Sequence, residues 1–419
     1  MDIFRGYDIR GLYPEELDEQ KAGEIGRTVG SIANGKRVYV GNDTRAGTYK
    51  IKDSFISGLL SAGAKVLDLG MVPIAVPAFA SFKEKTYGVC LTASHNPPKY
   101  TGILTFDNGK SLDPERIKSI YSSKSFLSGE GTIKKQDYQS KYLLRITKGI
   151  NGVNFKVGID AMGGAGTFAS KLAVKLIGAE PKMLHPNISM DFFGKTPEPS
   201  KENISELSSF VEENHLDMGM QLDGDADRVI FTDEHGNFID PVISALIFVR
   251  YLHIEEAVIN VMSPSIFKRF TKVKFVAVGR NRLEGVEFGF ETSSHFYFGK
   301  YFPASDGILT SILMLNILKK SGKTMSELAK EFPRPYYKLE AVKMRSSEEM
   351  DAALKEAEKR MSVYGRIDRT DGAKVYFDDG SICVRKSETE PLIRVFYEGV
   401  DESSFMKMGE IAYKIMPWK

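Results

Sequence analysis

The run Arg37-Val38-Tyr39-Val40-Gly41 reads as a buried strand, and the residues after it decide the fold. An amphipathic pattern over 50–62 predicts a helix. Gly63-Ala64 breaks it, and Lys65-Val66-Leu67-Asp68-Leu69 reads as a second strand. Strand, helix, strand within about 30 residues is the βαβ unit, which implies a parallel sheet. The grammar returns at Lys156-Val157-Gly158-Ile159-Asp160, followed by a Gly-rich turn, a helix, Gly178-Ala179 and a short strand at Met183-Leu184. It returns again at Ala257-Val258-Ile259-Asn260-Val261, where a helix over 265–270 leads to Phe275-Val276-Ala277-Val278. One large doubly wound sheet would contain the same units. The long stretches without the pattern between them favour three related α/β domains with mixed sheets.

After Phe332-Pro333-Arg334-Pro335 the pattern changes. A charged amphipathic helix over 346–361 precedes Val375-Tyr376-Phe377, Ser381-Ile382-Cys383-Val384-Arg385 and Ile393-Arg394-Val395-Phe396-Tyr397, which read as antiparallel strands. The turn Asp378-Asp379-Gly380 joins the first two, and a last helix covers 403–415. This is a smaller C-terminal α+β domain. The expected domains are 1–137, 138–240, 241–335 and 336–419, set around a central cleft.

A chain of 419 residues has room for two to four domains. Its 57 basic and 55 acidic side chains leave a formal net charge of +2, with no block of one sign. That balance gives no reason to expect nucleic acid or membrane as a partner, and the apolar runs are too short to span a bilayer. Cys90 and Cys383 have no metal-ligand spacing and are expected as two buried free thiols. The opening Met1-Asp2-Ile3-Phe4-Arg5 does not resemble a signal peptide, so a cytoplasmic location is the expectation. Nothing in the sequence speaks to oligomeric state.

Three stretches carry chemistry. Thr92-Ala93-Ser94-His95-Asn96-Pro97-Pro98 describes a rigid exposed turn after the strand over 88–91. Its serine is either a nucleophile beside His95 or a turn-stabilising residue, and by composition alone the turn is the simpler reading. Asp223-Gly224-Asp225-Ala226-Asp227-Arg228 gathers three carboxylates at alternating positions. That is unfavourable without a cation, and oxygen-only ligands suit Mg²⁺; the run lacks the glutamate that would complete an EF-hand. Arg385-Lys386-Ser387-Glu388-Thr389-Glu390-Pro391, with Arg394 behind it, fits a phosphate clamp between strands, or a charged hairpin.

Together these stretches resemble the α-D-phosphohexomutase superfamily, over nearly the whole chain and in the right order. Phe4-Arg5-Gly6-Tyr7-Asp8-Ile9-Arg10-Gly11 is similar to the family's opening segment, and its Tyr7-Asp8-Ile9-Arg10 resembles phosphomannomutase/phosphoglucomutase members. Ser94 falls on the phosphoserine of the TASHNP loop, and DGDADR on the metal loop. Glu291-Thr292-Ser293-Ser294-His295 resembles the sugar loop, usually GExSGH, and 385–391 the terminal phosphate loop, usually RxSGTEP. The resemblance implies an enzyme that interconverts hexose 1- and 6-phosphates, of mannose or glucose, through a phosphoserine and a 1,6-bisphosphate. It implies Mg²⁺ on Ser94, Asp223, Asp225 and Asp227, with Arg10 and Arg228 adding positive charge. Substrate contacts fall on Arg228, Arg280, Glu291, Ser293 and His295, and the distal phosphate on Arg385, Ser387, Thr389 and Arg394. Other readings are a phosphoglucosamine mutase, a sugar-phosphate-binding paralogue with little activity, and a serine-dependent phosphatase.

Three positions depart from the pattern: Leu104 stands where NGxK has its lysine, and Ser294 and Glu388 replace glycines. With that lysine gone, the proton-transfer candidates are Lys99, His95, His295 and Arg10. His95 is favoured for its place beside the phosphoserine. Two other stretches are decoys. Ser321-Gly322-Lys323-Thr324 mimics the end of a P-loop but reads as a helix stop followed by a capping box. Gly163-Gly164-Ala165-Gly166 reads as a tight strand-to-helix turn.

Overall fold

The computed structural model describes residues 3, 4, 6, 8–388 and 391–416. They form four domains, each built on its own sheet. In the first, strands run in the order Ile9–Leu12, Tyr100–Asp107, Tyr87–Leu91, Arg37–Asn42, Lys65–Met71, Thr132–Lys135, with Lys110–Ser111 paired to Tyr100–Asp107. The expected βαβ unit is present: Arg37–Asn42 pairs in parallel with Lys65–Met71, and the connecting helix, Ala46–Ser61, starts four residues before the expected 50. The second sheet runs Phe238–Ile239, Val229–Thr232, Met218–Leu222, Lys156–Asp160, Glu180–Met183, and the third Lys272–Val276, Glu256–Asn260, Phe288–Glu291, His295–Tyr297.

These three sheets share a device that places the site. In each, a buried parallel strand ends in a loop and the chain returns as an antiparallel neighbour. Tyr87–Leu91 leads through 92–99 to Tyr100–Asp107. Met218–Leu222 leads through 223–228 to Val229–Thr232, and Phe288–Glu291 through 292–294 to His295–Tyr297. Loops at the carboxyl ends of parallel strands are where α/β folds bind ligands.

One hydrophobic core runs through all three domains, containing Tyr39, Cys90, Val157, Met220, Ile259 and Phe288 together. Leu104 belongs to it at 3% exposure. The fourth domain is a fully antiparallel sheet, Tyr336–Lys343, Leu392–Gly399, Gly380–Lys386, Ala373–Phe377. Helices Ser347–Met361 and Glu402–Ile415 pack on it around a separate core of Val375, Ile382, Ile393 and Met408. It meets the third domain through a small cluster of Val261, Met262, Cys383 and Phe396. Lys374 donates to the Val261 carbonyl at 2.8 Å and Glu398 accepts from the Ser265 amide at 2.7 Å.

Two local features depart from the sequence pattern. The segment expected as a helix over 265–270 is a five-residue 3₁₀ turn, Ser265–Arg269, directly after Pro264. Strand Tyr336–Lys343 carries no strand signal in the sequence, because at the sheet edge it is half-exposed and lacks a clean apolar alternation. The decoys resolve as expected. Gly322 is the left-handed stop (φ 67°) of helix Gly307–Ser321, and Thr324 and Glu327 form a capping box. Gly163 (φ 67°) turns strand into helix. Cys90 and Cys383 are free and buried. Among the described residues no helix is long and apolar enough to cross a membrane.

Candidate active site

Ser94 is 1% exposed and holds a left-handed backbone, φ 48°, a conformation that costs a non-glycine residue about 1 kcal/mol or more. Its surroundings impose it. The Ser94 amide donates to Thr92 Oγ1 at 2.9 Å, and the Asn96 amide to the Ala93 carbonyl at 3.0 Å. From below, a fully buried Arg45 closes the turn, donating to the carbonyls of Ser94 (2.5 Å), Asn96 (2.7 Å), Pro97 (2.7 Å) and Tyr100 (3.2 Å). Asp43 balances its charge at 2.9 Å, and the ring of Phe192 lies 4.8 Å from the guanidinium. Arg10 donates from Nη1 to the Ala93 carbonyl and to Asn96 Oδ1, and pairs with Asp8 at 2.7 Å. Its buried Nε has no partner among the described residues.

The Ser94 hydroxyl donates to Asp223 Oδ2 at 2.8 Å, which brings the first two motifs together across a domain boundary. Asp223, Asp225 and Asp227 are all buried, and one oxygen from each lies within 4.8 Å of the others. The turn needs its glycine: a Cβ on Gly224 would lie 2.9 Å from the Ser94 carbonyl. Burial, then mutual repulsion, raises Asp223 and Asp225 above the usual carboxylate range. Burial acts the same way on Asp227, but His295, Arg280 and Arg228 outweigh it and hold that carboxyl well below the range. Buried Oδ1 atoms of Asp225 and Asp227 lack hydrogen-bond donors among the described residues. Orphaned anionic oxygens converging from three carboxylates fit a hard divalent cation such as Mg²⁺.

Arg228 links this centre to the sugar loop. Its Nε donates to His295 Nε2 at 3.2 Å, and its Nη2 lies 2.7 Å from His95 Nδ1. A guanidinium can only donate, so His95 Nδ1 accepts and the neutral ring carries its proton on Nε2. Burial, with Arg228 and Arg10 beside it, pushes the His95 imidazole well below its ordinary pKa. His295 Nδ1 lies 3.0 Å from Ser293 Oγ and 3.6 Å from Glu291 Oε2, and its Nε2 lies 3.3 Å from Asp227 Oδ1. Glu291 also accepts from Asn260 at 3.0 Å. Ser294, in the glycine position, has φ 72°.

Arg280 reaches the metal loop through one of its terminal nitrogens. Its side chain is 13% exposed, with Nη2 at 2.7 Å from Asp227 Oδ2. Lys99 is exposed, and its contribution to this turn is a backbone carbonyl that accepts from the Tyr13 amide. At the clamp, Arg385 is anchored through Nε to Asp371 at 2.8 Å. Arg394 stands directly across the ladder from Arg385, and the Ser387 amide donates to the Leu392 carbonyl at 2.8 Å. Exposed Glu388 lies against Gly6, where a Cβ would sit 2.8 Å from its Oε2, so the clamp touches the opening segment. Lys386 pairs with Asp351. Thr389 lies outside the described residues.

Sequence reasoning misses Arg45 and Asp371. Each carries a signal: Asp43-Thr44-Arg45 directly follows a strand, and Asp371-Gly372 directly precedes one.

Models of the phosphoglucomutase/phosphomannomutase domains match in sequence: α/β/α domain I on residues 1–126, domain II on 137–236, domain III on 247–336 and the C-terminal domain on 339–412. The chain belongs to the phosphoglucomutase/phosphomannomutase family. It is 31% identical to a phosphoglucomutase/phosphomannomutase of Thermococcus kodakarensis, over 99% of this chain and 98% of that one. It is 30% identical to a probable phosphoglucosamine mutase of Thermococcus gammatolerans (97% and 96% covered) and 29% identical to a phosphopentomutase of T. kodakarensis (99% and 97%). Among solved structures, a family protein of Burkholderia thailandensis superposes with TM-score 0.90 at 22% identity, covering 100% and 97%. An N-acetylphosphoglucosamine mutase of Aspergillus fumigatus, in complex with GlcNAc-6P and magnesium, superposes with TM-score 0.58 at 14% identity, covering 98% and 94%. The chain is thus a phosphohexomutase-type isomerase with four α/β domains and a buried acidic triad able to hold a metal ion.

Proposed function

We propose that this enzyme interconverts hexose 1-phosphates and 6-phosphates of mannose and glucose, with Ser94 carrying the transferred phosphoryl group. The observation that carries this reading is the Ser94 hydroxyl, strained into a turn and bonded to one of three buried carboxylates. Ser94, Asp223, Asp225 and Asp227 would hold a Mg²⁺ ion, which when bound would supply charge neutralisation at the transferred group.

In the first transfer a sugar hydroxyl oxygen bonds to phosphorus, the bond from phosphorus to Ser94 Oγ breaks, and Oγ regains a proton as the hydroxyl loses one. Arg45 fixes the carbonyl frame that aims Oγ. Arg10, with its unpartnered Nε, and the Nε2–H of His95 are placed to donate to phosphoryl oxygens. His95 makes a poor base here, because the lone pair that would take a proton already accepts from Arg228. His295 Nε2 accepts from the same guanidinium at 3.2 Å, so either imidazole must first release Arg228 before it can take the proton. Arg385, Ser387, Thr389 and Arg394 hold the distal phosphate, and Glu291 and Ser293 hold sugar hydroxyls shared by the C2 epimers.

The test is a panel of mannose, glucose, glucosamine and ribose 1-phosphates, read for isomerisation and for phosphate release, with peptide mapping of Ser94 after incubation with a 1,6-bisphosphate. Isomerisation of both hexoses and a phosphate on Ser94 support the reading. A preference of more than about 10⁴ for glucosamine or ribose phosphate reassigns the substrate. Phosphate release without isomerisation makes the protein a phosphatase.

A further inference from the structure

Asp371 occupies a position that the clamp alone does not explain. Its Oδ2 accepts from Arg385 Nε at 2.8 Å and also from the backbone amide of Val278 at 2.9 Å. The first donor belongs to the fourth domain and the second to the third. The fold is built to bring them together. Gly372, at φ 70°, follows Asp371, and a Cβ there would lie 2.3 Å from the Val384 carbonyl and 2.7 Å from Arg385 Cβ. Only a glycine lets this turn press onto the clamp strand, and that close approach sets the carboxylate on the guanidinium.

On the other side, Val278 stands two residues before Arg280. Gly279 between them has φ 148°, so the backbone turns sharply. Arg280 then reaches Asp227 Oδ2 at 2.7 Å, on the carboxylate whose other oxygen is left without a hydrogen-bond donor among the described residues. One acceptor atom therefore ties the arginine that grips the distal phosphate to the loop that carries the arginine gripping the metal loop. Arg385 is anchored through Nε alone among the described residues, so its planar fork of Nη atoms stays available to an anion.

We propose that Asp371 is a positioning residue that couples distal-phosphate recognition in the fourth domain to the charge arrangement at the metal loop. Binding energy from a remote part of a substrate raises turnover when it goes into ordering the reacting centre. Here the ordering runs from Arg385 through Asp371, the Val278 amide and Arg280 to Asp227. The inference rests on the reading of Arg385 as part of the clamp.

Asp371→Asn and Asp371→Ala separate coupling from mere support. The asparagine carbonyl can accept both bonds without the charge, whereas alanine removes the acceptor. With glucose 1-phosphate as substrate at saturating Mg²⁺, D371N is expected to keep kcat within about threefold of the parent, and D371A to lose about tenfold or more in kcat as well as raising KM. The thermal stabilisation produced by Mg²⁺ alone, without substrate, is expected to shrink in D371A and persist in D371N. If D371A melts too low to assay, Asp371→Ser, whose hydroxyl is too short to span both donors, takes its place. A D371A enzyme that changes KM alone, or that matches D371N in kcat and in Mg²⁺ response, overturns the coupling while leaving the clamp intact. Arg385→Ala serves as the control on the clamp: KM unchanged there removes Arg385 from phosphate binding and the coupling with it.

Discussion

One core runs through the first three domains, beside a second cluster confined to the first, whereas the fourth shares no large core with them and touches the third through a small apolar cluster and a few polar bonds. The two ends of the site follow the same division. At the transfer end Ser94, Asp223 and Asp225 have at most 1% exposure, and the Ser94 turn is held by Arg10 and Arg45 from other segments. At the clamp end Arg385 is anchored at its root, while Ser387 and Glu388 ride on a more open loop. The contrast fits the two tasks. Charge development on a transferring phosphoryl group is best met by fixed, water-excluded groups. Under the proposed function the clamp takes a phosphate from C1 or from C6, and a more open loop suits that task.

The strongest way to break this contrast is to disable the transfer end. Ser94→Ala or Asp225→Ala should lower turnover on the order of 10³-fold or more; a variant keeping a few per cent of parental activity would mean that the buried centre is not where transfer occurs. Next comes Arg45→Met, which strands the buried Asp43 carboxylate and removes the donor shared by four carbonyls, that of Ser94 fully buried. It should cost about 3 kcal/mol or more of stability, read by denaturant unfolding. A loss near zero would show that the turn is held by its own chain.

The acidic triad gives a pH test. Asp223 and Asp225 are raised by burial and mutual repulsion, so at low pH a cation must compete with protons for them. Since the cation binds the ionised form, its hold strengthens as pH rises through the raised values. Thermal stabilisation by Mg²⁺ should therefore be larger at about pH 8 than at about pH 5.5, and an equal shift at both would argue against carboxylate ligands.

Smaller effects sharpen the comparison. Ser294→Gly relieves a left-handed serine and should add about 1 kcal/mol of stability; a loss instead would show that the serine side chain helps to hold the sugar loop. Glu388→Gly, at the exposed clamp, should leave KM within about threefold. A strong tightening would show that Glu388 repels the phosphate it sits near.

Much of this site is legible in the sequence because short motifs carry their own reasons. Three alternating aspartates are costly to bury without a cation, and a serine in a Pro-bounded turn stands out as a candidate before its supports are known. Arg45 is hidden because its carbonyl partners lie 49 to 55 positions away. Its flanking Asn42-Asp43-Thr44 reads as an ordinary polar turn. Asp371 is hidden for the same reason, since one of its two donors is a backbone amide 93 positions upstream. Arg280 reads toward the substrate because an arginine in a loop looks like a free cation until its partner is known.

By itself the sequence determined the repeated strand–helix–strand grammar, the change of architecture after residue 335 and the chemistry of each loop, because periodicity, turn residues and charge are local properties. Tertiary structure decided which loops meet. The Ser94 hydroxyl on Asp223, the Arg228 fork between two histidines, and the Asp371 oxygen shared by two domains depend on contacts between segments far apart in the chain. Those same contacts decide which nitrogen of His95 holds its proton and which arginine nitrogens remain open to a phosphate, since an N–H already bonded to a carboxylate is not available to a ligand.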